Sequence, residues 1–190
     1  MADPASRFAT YEDVLNAPAH MVAEVVGGHL HLQPRPALSH SAASSALGEE
    51  LGPPFKRGRG GPGGWILLDE PELHLGDDIV VPDIAGWRRT RLEAVTDSPF
   101  MTMAPDWLAE VLSPSTEKFD RTEKLAVYAR EAVPWVWLVN PRQRTLEILN
   151  LGTDGRWVLR GTYHDDVRIR AEPFDAIEFD LGALWADVRL

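Results

Sequence analysis

Apolar residues recur along this chain in two rhythms, short unbroken runs and helical stripes. Residues 22–26 and 29–32 favour β structure and flank Gly27-Gly28, which predicts a tight hairpin. Ahead of them, Thr10 with Asp13 three positions on has a capping-box pattern, so a short helix should start there and stop before Pro18. Leu38, Ala42, Ala46 and Leu47 recur at helical spacing and predict a helix over 37–51. The stretch 52–64 is dense in glycine and proline and is expected to be an unpacked, disordered loop. Strand patterns follow at 65–68 running on through 73–75, at 79–84 after a Gly76-Asp77-Asp78 turn, and at 107–112. A helix over 120–130 offers Leu125, Tyr128 and Ala129 to the core. A buried-type strand at 135–139, a meander at 145–149 and 157–162, and a last helical turn at 181–185 complete the pattern. There is no internal repeat, so 1–190 reads as a single domain of α+β class, with a mixed, mostly antiparallel sheet flanked by helices.

Composition narrows the chemistry. At 190 residues, with 44% hydrophobic and 25% charged, the chain can bury a proper core and is not globally disordered. The absence of cysteine excludes disulfides, thiolate metal sites and thiol nucleophiles. With 19 basic against 29 acidic residues the net charge is −10. That counts against a dedicated nucleic-acid binder, whose affinity rests on Lys and Arg displacing counterions. It counts less against a metal-dependent enzyme, because bound cations offset the local field. No apolar run is long enough for a membrane span, the first seven residues lack a secretory pattern, and a cytoplasmic location is expected.

Three positions stand out against this background. Asp83 follows Pro82 in an apolar stretch, Glu110 interrupts another, and Lys124 lies one helical turn beyond Asp120. A carboxylate in a buried strand is costly to ionise unless a cation or donors face it. Two on adjacent strands can share a divalent metal, since hard cations take oxygen ligands. Strand-end carboxylates paired with arginines fit the spacing equally well.

The strings Val81-Pro82-Asp83, Pro105-Asp106-Trp107-Leu108-Ala109-Glu110-Val111-Leu112-Ser113-Pro114-Ser115-Thr116 and Asp120-Arg121-Thr122-Glu123-Lys124-Leu125-Ala126-Val127-Tyr128-Ala129 resemble the Uma-type family of restriction endonuclease-like proteins, part of the PD-(D/E)XK nuclease superfamily. Val133-Pro134-Trp135-Val136-Trp137-Leu138-Val139-Asn140-Pro141 and the Glu24-Val25-Val26-Gly27-Gly28-His29-Leu30 hairpin extend the likeness over roughly 11–150. The resemblance implies a restriction-endonuclease-like core, with Asp83 and Glu110 as metal ligands and Lys124 as a catalytic amine. Leu112 stands where the superfamily places a lysine. Residues 110 and 112 share a strand face, so Leu112 cannot supply the amine; within the resembled family the lysine moves to the next helix, at Lys124. Glu24, His40 and Asp120 are further candidate members of the site.

The implied function is a Mg²⁺- or Mn²⁺-dependent DNA endonuclease, a homodimer without membrane association. Arg121 and Lys118 would contact phosphates. The alternative is a catalytically inactive module of the same fold serving binding or assembly, and a hydrolase of smaller phosphodiesters is a third reading. Asp120, Lys124 and Tyr128, at i, i+4 and i+8, should face the cleft beside Glu110. Otherwise Lys124 and Asp120 form a surface pair worth at most ~0.5 kcal/mol. Other motifs carry less. His29 and His31 lack a clear third ligand and suit an exposed strand edge. The glycines at 58–64 lack a phosphate-loop ending, and Ser113 sits on no nucleophile elbow. Trp87, beside Arg88, Arg89 and Arg91, could stack a base but fits better as a cap on the sheet.

Overall fold

The computed structural model describes residues 7–189; the reading of the first six residues as free of a targeting pattern lies outside them. Gly27 and Gly28 take φ of 60° and 78°, the left-handed pair that a two-residue hairpin turn needs. They join β1 (Met21–Val26) to β2 (His29–Pro34). Before the hairpin, α1 (Tyr11–Leu15) starts at the Thr10–Asp13 capping box. After it, α2 (Leu38–Leu51) buries His40, Ala43, Leu47 and Leu51.

The stretch 52–64 departs from expectation. Gly52–Lys56 continues α2 as a wider π turn with Pro54 and Phe55 buried, and the Phe55 ring lies 4.7 Å from that of Phe174. Burying one aromatic ring outweighs the freedom of the surrounding glycines. Gly61 approaches Pro54 so closely that a Cβ would stand 2.5 Å from Pro54 Cβ. Glycine is a packing requirement at that position.

The strands β3 (Trp65–Asp69), β4 (Leu73–Leu75), β5 (Asp78–Val80) and β6 (Ile84–Arg88) come next. The runs expected as continuous strands at 65–75 and 79–84 each break and change sheets. Pro82 lies in the second break, where it has no N–H to offer a ladder. Asp83 therefore sits between strands, not within one. Strands β4 and β5 join the hairpin in a four-stranded sheet, β2-β1-β5-β4. The six-stranded sheet, β10-β9-β8-β7-β6-β3, adds β7 (Trp107–Val111), β8 (Trp135–Asn140), β9 (Thr145–Leu151) and β10 (Trp157–His164). Two short strands, β11 (Arg168–Ile169) and β12 (Phe179–Asp180), pair apart from both. Only β7 and β8 run parallel among the described strand pairs. The architecture is the mixed, mostly antiparallel α+β fold expected.

A parallel pair needs a crossover, and residues 117–130 supply it as one helical stretch, hereafter the site helix. It begins three residues earlier than the spacing predicts. Its segments are an α turn (Glu117–Phe119), a π turn (Asp120–Lys124) and a final α segment (Leu125–Arg130). Strand alternation then sorts β7. Trp107, Ala109 and Val111 enter the core under α2 with Trp137 and Phe174. Leu108 and Leu112 pack with Val127 and Tyr128 of the site helix. Glu110 shares the parity of Leu108 and so points toward the site helix. Among the described residues no helix is long and apolar enough to cross a membrane.

Candidate functional site

The β6–β7 register pairs Ile84 with Ala109, and one step further it sets Asp83 opposite Glu110. Asp83 Oδ2 accepts the Val111 N–H at 2.7 Å, while Oδ1 faces His40 Nε2 at 3.2 Å. The break before β6 leaves the Val81 backbone outside both ladders, and buried peptide groups must find partners. Its N–H donates to Glu24 Oε1 at 2.8 Å and its carbonyl accepts from Lys124 Nζ at 3.1 Å. Glu24 Oε2 accepts from Gln33 Nε2 at 3.0 Å. The backbone of one residue is thus held on both sides, by side chains from the small sheet and from the site helix.

Lys124 is 2% exposed. Its ammonium lies 2.8 Å from Glu110 Oε1, 3.1 Å from Glu24 Oε1 and 3.8 Å from Asp120 Oδ1. The alternative of a surface pair with Asp120 is excluded, since Asp120 is itself 4% exposed. Tyr128 donates its hydroxyl to the same Glu110 oxygen, which leaves Oε2 without a hydrogen-bond partner among the described residues. In a regular α-helix, side chains four apart drift by about 40° per step. The π turn widens the helix at Asp120–Lys124 and counters that drift, so Lys124 and Tyr128 both reach Glu110 while Asp120 stays 3.8 Å from the ammonium. Such turns recur at functional sites.

Charge in this cluster is unbalanced. Burial opposes the Lys124 charge, but Glu110 and Glu24 outweigh it and hold its pKa well above the ordinary lysine value. Burial pushes the Glu110 carboxyl up; Lys124 pulls it down, and Asp120, Asp83 and Glu24 add to the rise. Asp120 is raised to about 6, mainly by burial. Burial lowers the His40 pKa, yet Asp83, with help from Asp120, raises it overall. Three carboxylates, those of Glu110, Glu24 and Asp120, lie within 4 Å of one ammonium, and Asp83 lines the same cleft. Among the described residues no set of three His, Asp or Glu side chains is already disposed around a cation; the Lys124 ammonium stands between two of the carboxylates instead.

All six residues singled out from the sequence, Glu24, His40, Asp83, Glu110, Asp120 and Lys124, line one cleft of about 270 Å³. Sequence reasoning missed Gln33 and Glu70, which also line it, and assigned Tyr128 only to the core and the stripe. The cross-strand partner of Val22 is Gln33, a pairing that hairpin register alone could have exposed. Arg121 is not free for phosphate: it forks onto Glu147 at 2.9 and 2.7 Å and bonds Glu117 at 2.9 Å. His31 packs on Phe119, ring centroids 4.4 Å apart, with Nε2 3.5 Å from Glu123. Trp87 is fully buried, its indole N–H donating to the Met103 carbonyl, so it stacks no base.

No curated protein matches the chain. A crystal structure described as "a putative nuclease belonging to DUF820 from Anabaena variabilis ATCC 29413" is similar in fold, with a TM-score of 0.71 at 20% identity over 94% of this chain and 98% of that one. The Uma2 family model, described as "Putative restriction endonuclease", matches residues 8–182. That match spans both sheets, the crossover and every residue of the cleft, and the chain belongs to the Uma2 family.

Proposed function

We propose that the cleft is a divalent-metal phosphodiesterase site and that the chain, working as one domain, cleaves DNA. The observation that carries this is the convergence of Glu24, Glu110 and Asp120 on one buried ammonium, with Asp83 lining the same open cleft. The donors are all oxygen or imidazole, which suits Mg²⁺ or Mn²⁺. The surplus negative charge is what a divalent cation would relieve. Asp83 and Glu110, which both line the cleft, would hold it. When bound it would supply Lewis-acid stabilisation of the phosphate and lower the pKa of water.

The chain's own groups do the rest. His40 and the Val111 N–H fix the Asp83 carboxylate from two sides. Tyr128 and Lys124 fix Glu110 through one oxygen and leave the other to the cleft. The Lys124 ammonium lines the same cleft and, on exchanging one of its present partners, would steady the developing charge on phosphate or orient the attacking water. Glu24 anchors the ammonium from the opposite side.

The test is hydrolysis of plasmid DNA, single-stranded DNA and a small aryl phosphodiester with Mg²⁺ or Mn²⁺. The expected result is metal-dependent cleavage that Asp83→Ala abolishes. Intact substrates in every case would end the catalytic reading. A second reading, an inactive binding or assembly module, is favoured by one observation: Lys124 already occupies Glu24 and Glu110. Calorimetric titration with Mn²⁺ separates them, since binding lost in Asp83→Ala belongs to the first and no binding at millimolar metal to the second.

A further inference from the structure

Six of the 19 basic side chains crowd one end of the β3–β6 pair, in a chain whose net charge is strongly negative. Lys56, Arg57 and Arg59 lie on one connecting segment, and Arg88, Arg89 and Arg91 lie on the other. Neither 56–64 nor 85–92 contains an acidic residue. The two segments are tied together: Trp65 pairs with Arg88, the Arg89 N–H donates to the Gly64 carbonyl at 2.9 Å, and the Arg88 guanidinium lies 4.5 Å from the Trp65 ring centroid. All six side chains belong to exposed residues. Among the described residues only Arg91 has a carboxylate partner, Asp106 at 2.8 Å. Cations gathered this closely without counter-charges repel one another, and an extended polyanion relieves that repulsion.

The patch is connected to the carboxylate cleft. A groove of about 650 Å³ follows α2, with His40 and Asp83 at one end and Lys56 and Arg57 at the other. Sixteen residues of helical rise make that span about 24 Å, the reach of roughly seven nucleotides at 3.4 Å each. Glu49 and Asp69 line the groove as well, so phosphates are drawn to its cationic end and not held along its whole length. Its volume is that of a small-ligand cleft, fit for one strand and too small to enclose a duplex.

We propose that this patch and groove are the track of a single nucleic-acid strand, gripped through its phosphates by Lys56, Arg57, Arg59, Arg88 and Arg89 and led along α2 to the carboxylate cleft. The inference rests on reading that cleft as a phosphodiesterase site. The contacts are to phosphate, so the track has no base preference and is strongly salt-dependent.

Fluorescence anisotropy of a labelled single-stranded DNA of about 20 nucleotides, in EDTA and over a salt series, tests it without any cleavage step. The wild type should bind with a log–log salt slope near −3.5, about 0.7 per phosphate contact. Arg57→Glu with Arg59→Glu should weaken binding at least ~10-fold and flatten the slope by about 1.4. Arg89→Glu, a second variant on the other segment, should flatten it by about half as much. Arg156→Glu, on the turn between β9 and β10, should change neither quantity. Circular dichroism checks that each variant is folded. Absent wild-type binding, an unchanged double variant, an equal loss in Arg156→Glu, or tighter binding of a duplex would each overturn the track. Because the measurement is made without metal, its failure would leave the hydrolysis test standing, and failed hydrolysis would leave this result standing.

Discussion

Replacing Lys124 by methionine keeps the side chain's bulk and removes its charge, and the geometry fixes what that should cost. At an effective dielectric constant near 20, a contact of 2.8 Å such as that to Glu110 is worth about 6 kcal/mol of Coulomb attraction. The loss cannot reach that figure, because a carboxyl left without its ammonium takes up a proton instead. Holding Glu110 protonated at pH 7, against an unfolded value near 4.3, costs about 1.4 kcal/mol per pH unit, or about 4 kcal/mol in all. At pH 5 the same route costs only ~1 kcal/mol. Part of that cost is already present in the wild type, where burial holds the Glu110 carboxyl well above its ordinary value, so Lys124→Met should lose at most about 4 kcal/mol at pH 7 and at most ~1 kcal/mol at pH 5, a range consistent with breaking a buried pair. Urea unfolding in EDTA, followed by tryptophan fluorescence at both pH values, measures the difference. A loss that does not vary with pH, or one under ~1 kcal/mol at pH 7, would refute the reasoning. Either would mean that the native Glu110 is already protonated and that the ammonium–carboxylate pairs do not hold the cluster.

Other expectations are narrower. The Asp120 carboxyl rises from 3.8 to about 6 in the folded protein, so the native state keeps a proton there that the unfolded chain has released. Metal-free stability should fall as pH rises through that window and level off above it, by on the order of 2–3 kcal/mol; paired denaturation curves for wild type and Asp120→Asn check that the variant lacks this component. Tyr128→Phe removes one of the two donors to Glu110 Oε1 and should cost ~1.5–3 kcal/mol in denaturant unfolding without a change in m-value. Phe55→Ala should cost ~3–5 kcal/mol; a loss below ~1 kcal/mol would mean that 52–64 is not anchored through this ring.

What the sequence made legible follows from range. The Gly27-Gly28 hairpin, the Thr10 cap and the strand at β7 depend on neighbours within a few residues, and each reads directly from the chain. Lys124 was legible because the residue at 112 is a leucine and family likeness points onward to the helix. The chain changes sheets at Val81-Pro82, a step no periodicity records, because both halves of the run are equally apolar. Phe55 was hidden among glycines and prolines, since its anchoring partner Phe174 lies far along the chain. Arg121 looked available for phosphate because Glu147, its partner, sits on a different strand. The π turn leaves no local signature: the residues Asp120–Lys124 read as an ordinary stretch of helix.

The grip on the Val81 backbone sets the order in which this molecule can come into being. Glu24 and Val81 are 57 positions apart, and Val81 and Lys124 are 43 apart, so the cluster closes only when three distant parts of the chain have met. Contacts of such long range form late, because their loop entropy must be overcome before they contribute anything. Until Lys124 arrives, Glu24 and Glu110 lack their ammonium partner and the Val81 carbonyl lacks its donor. The cluster and the last long-range contacts of the fold therefore form together, and a half-folded chain carries no half-formed cluster.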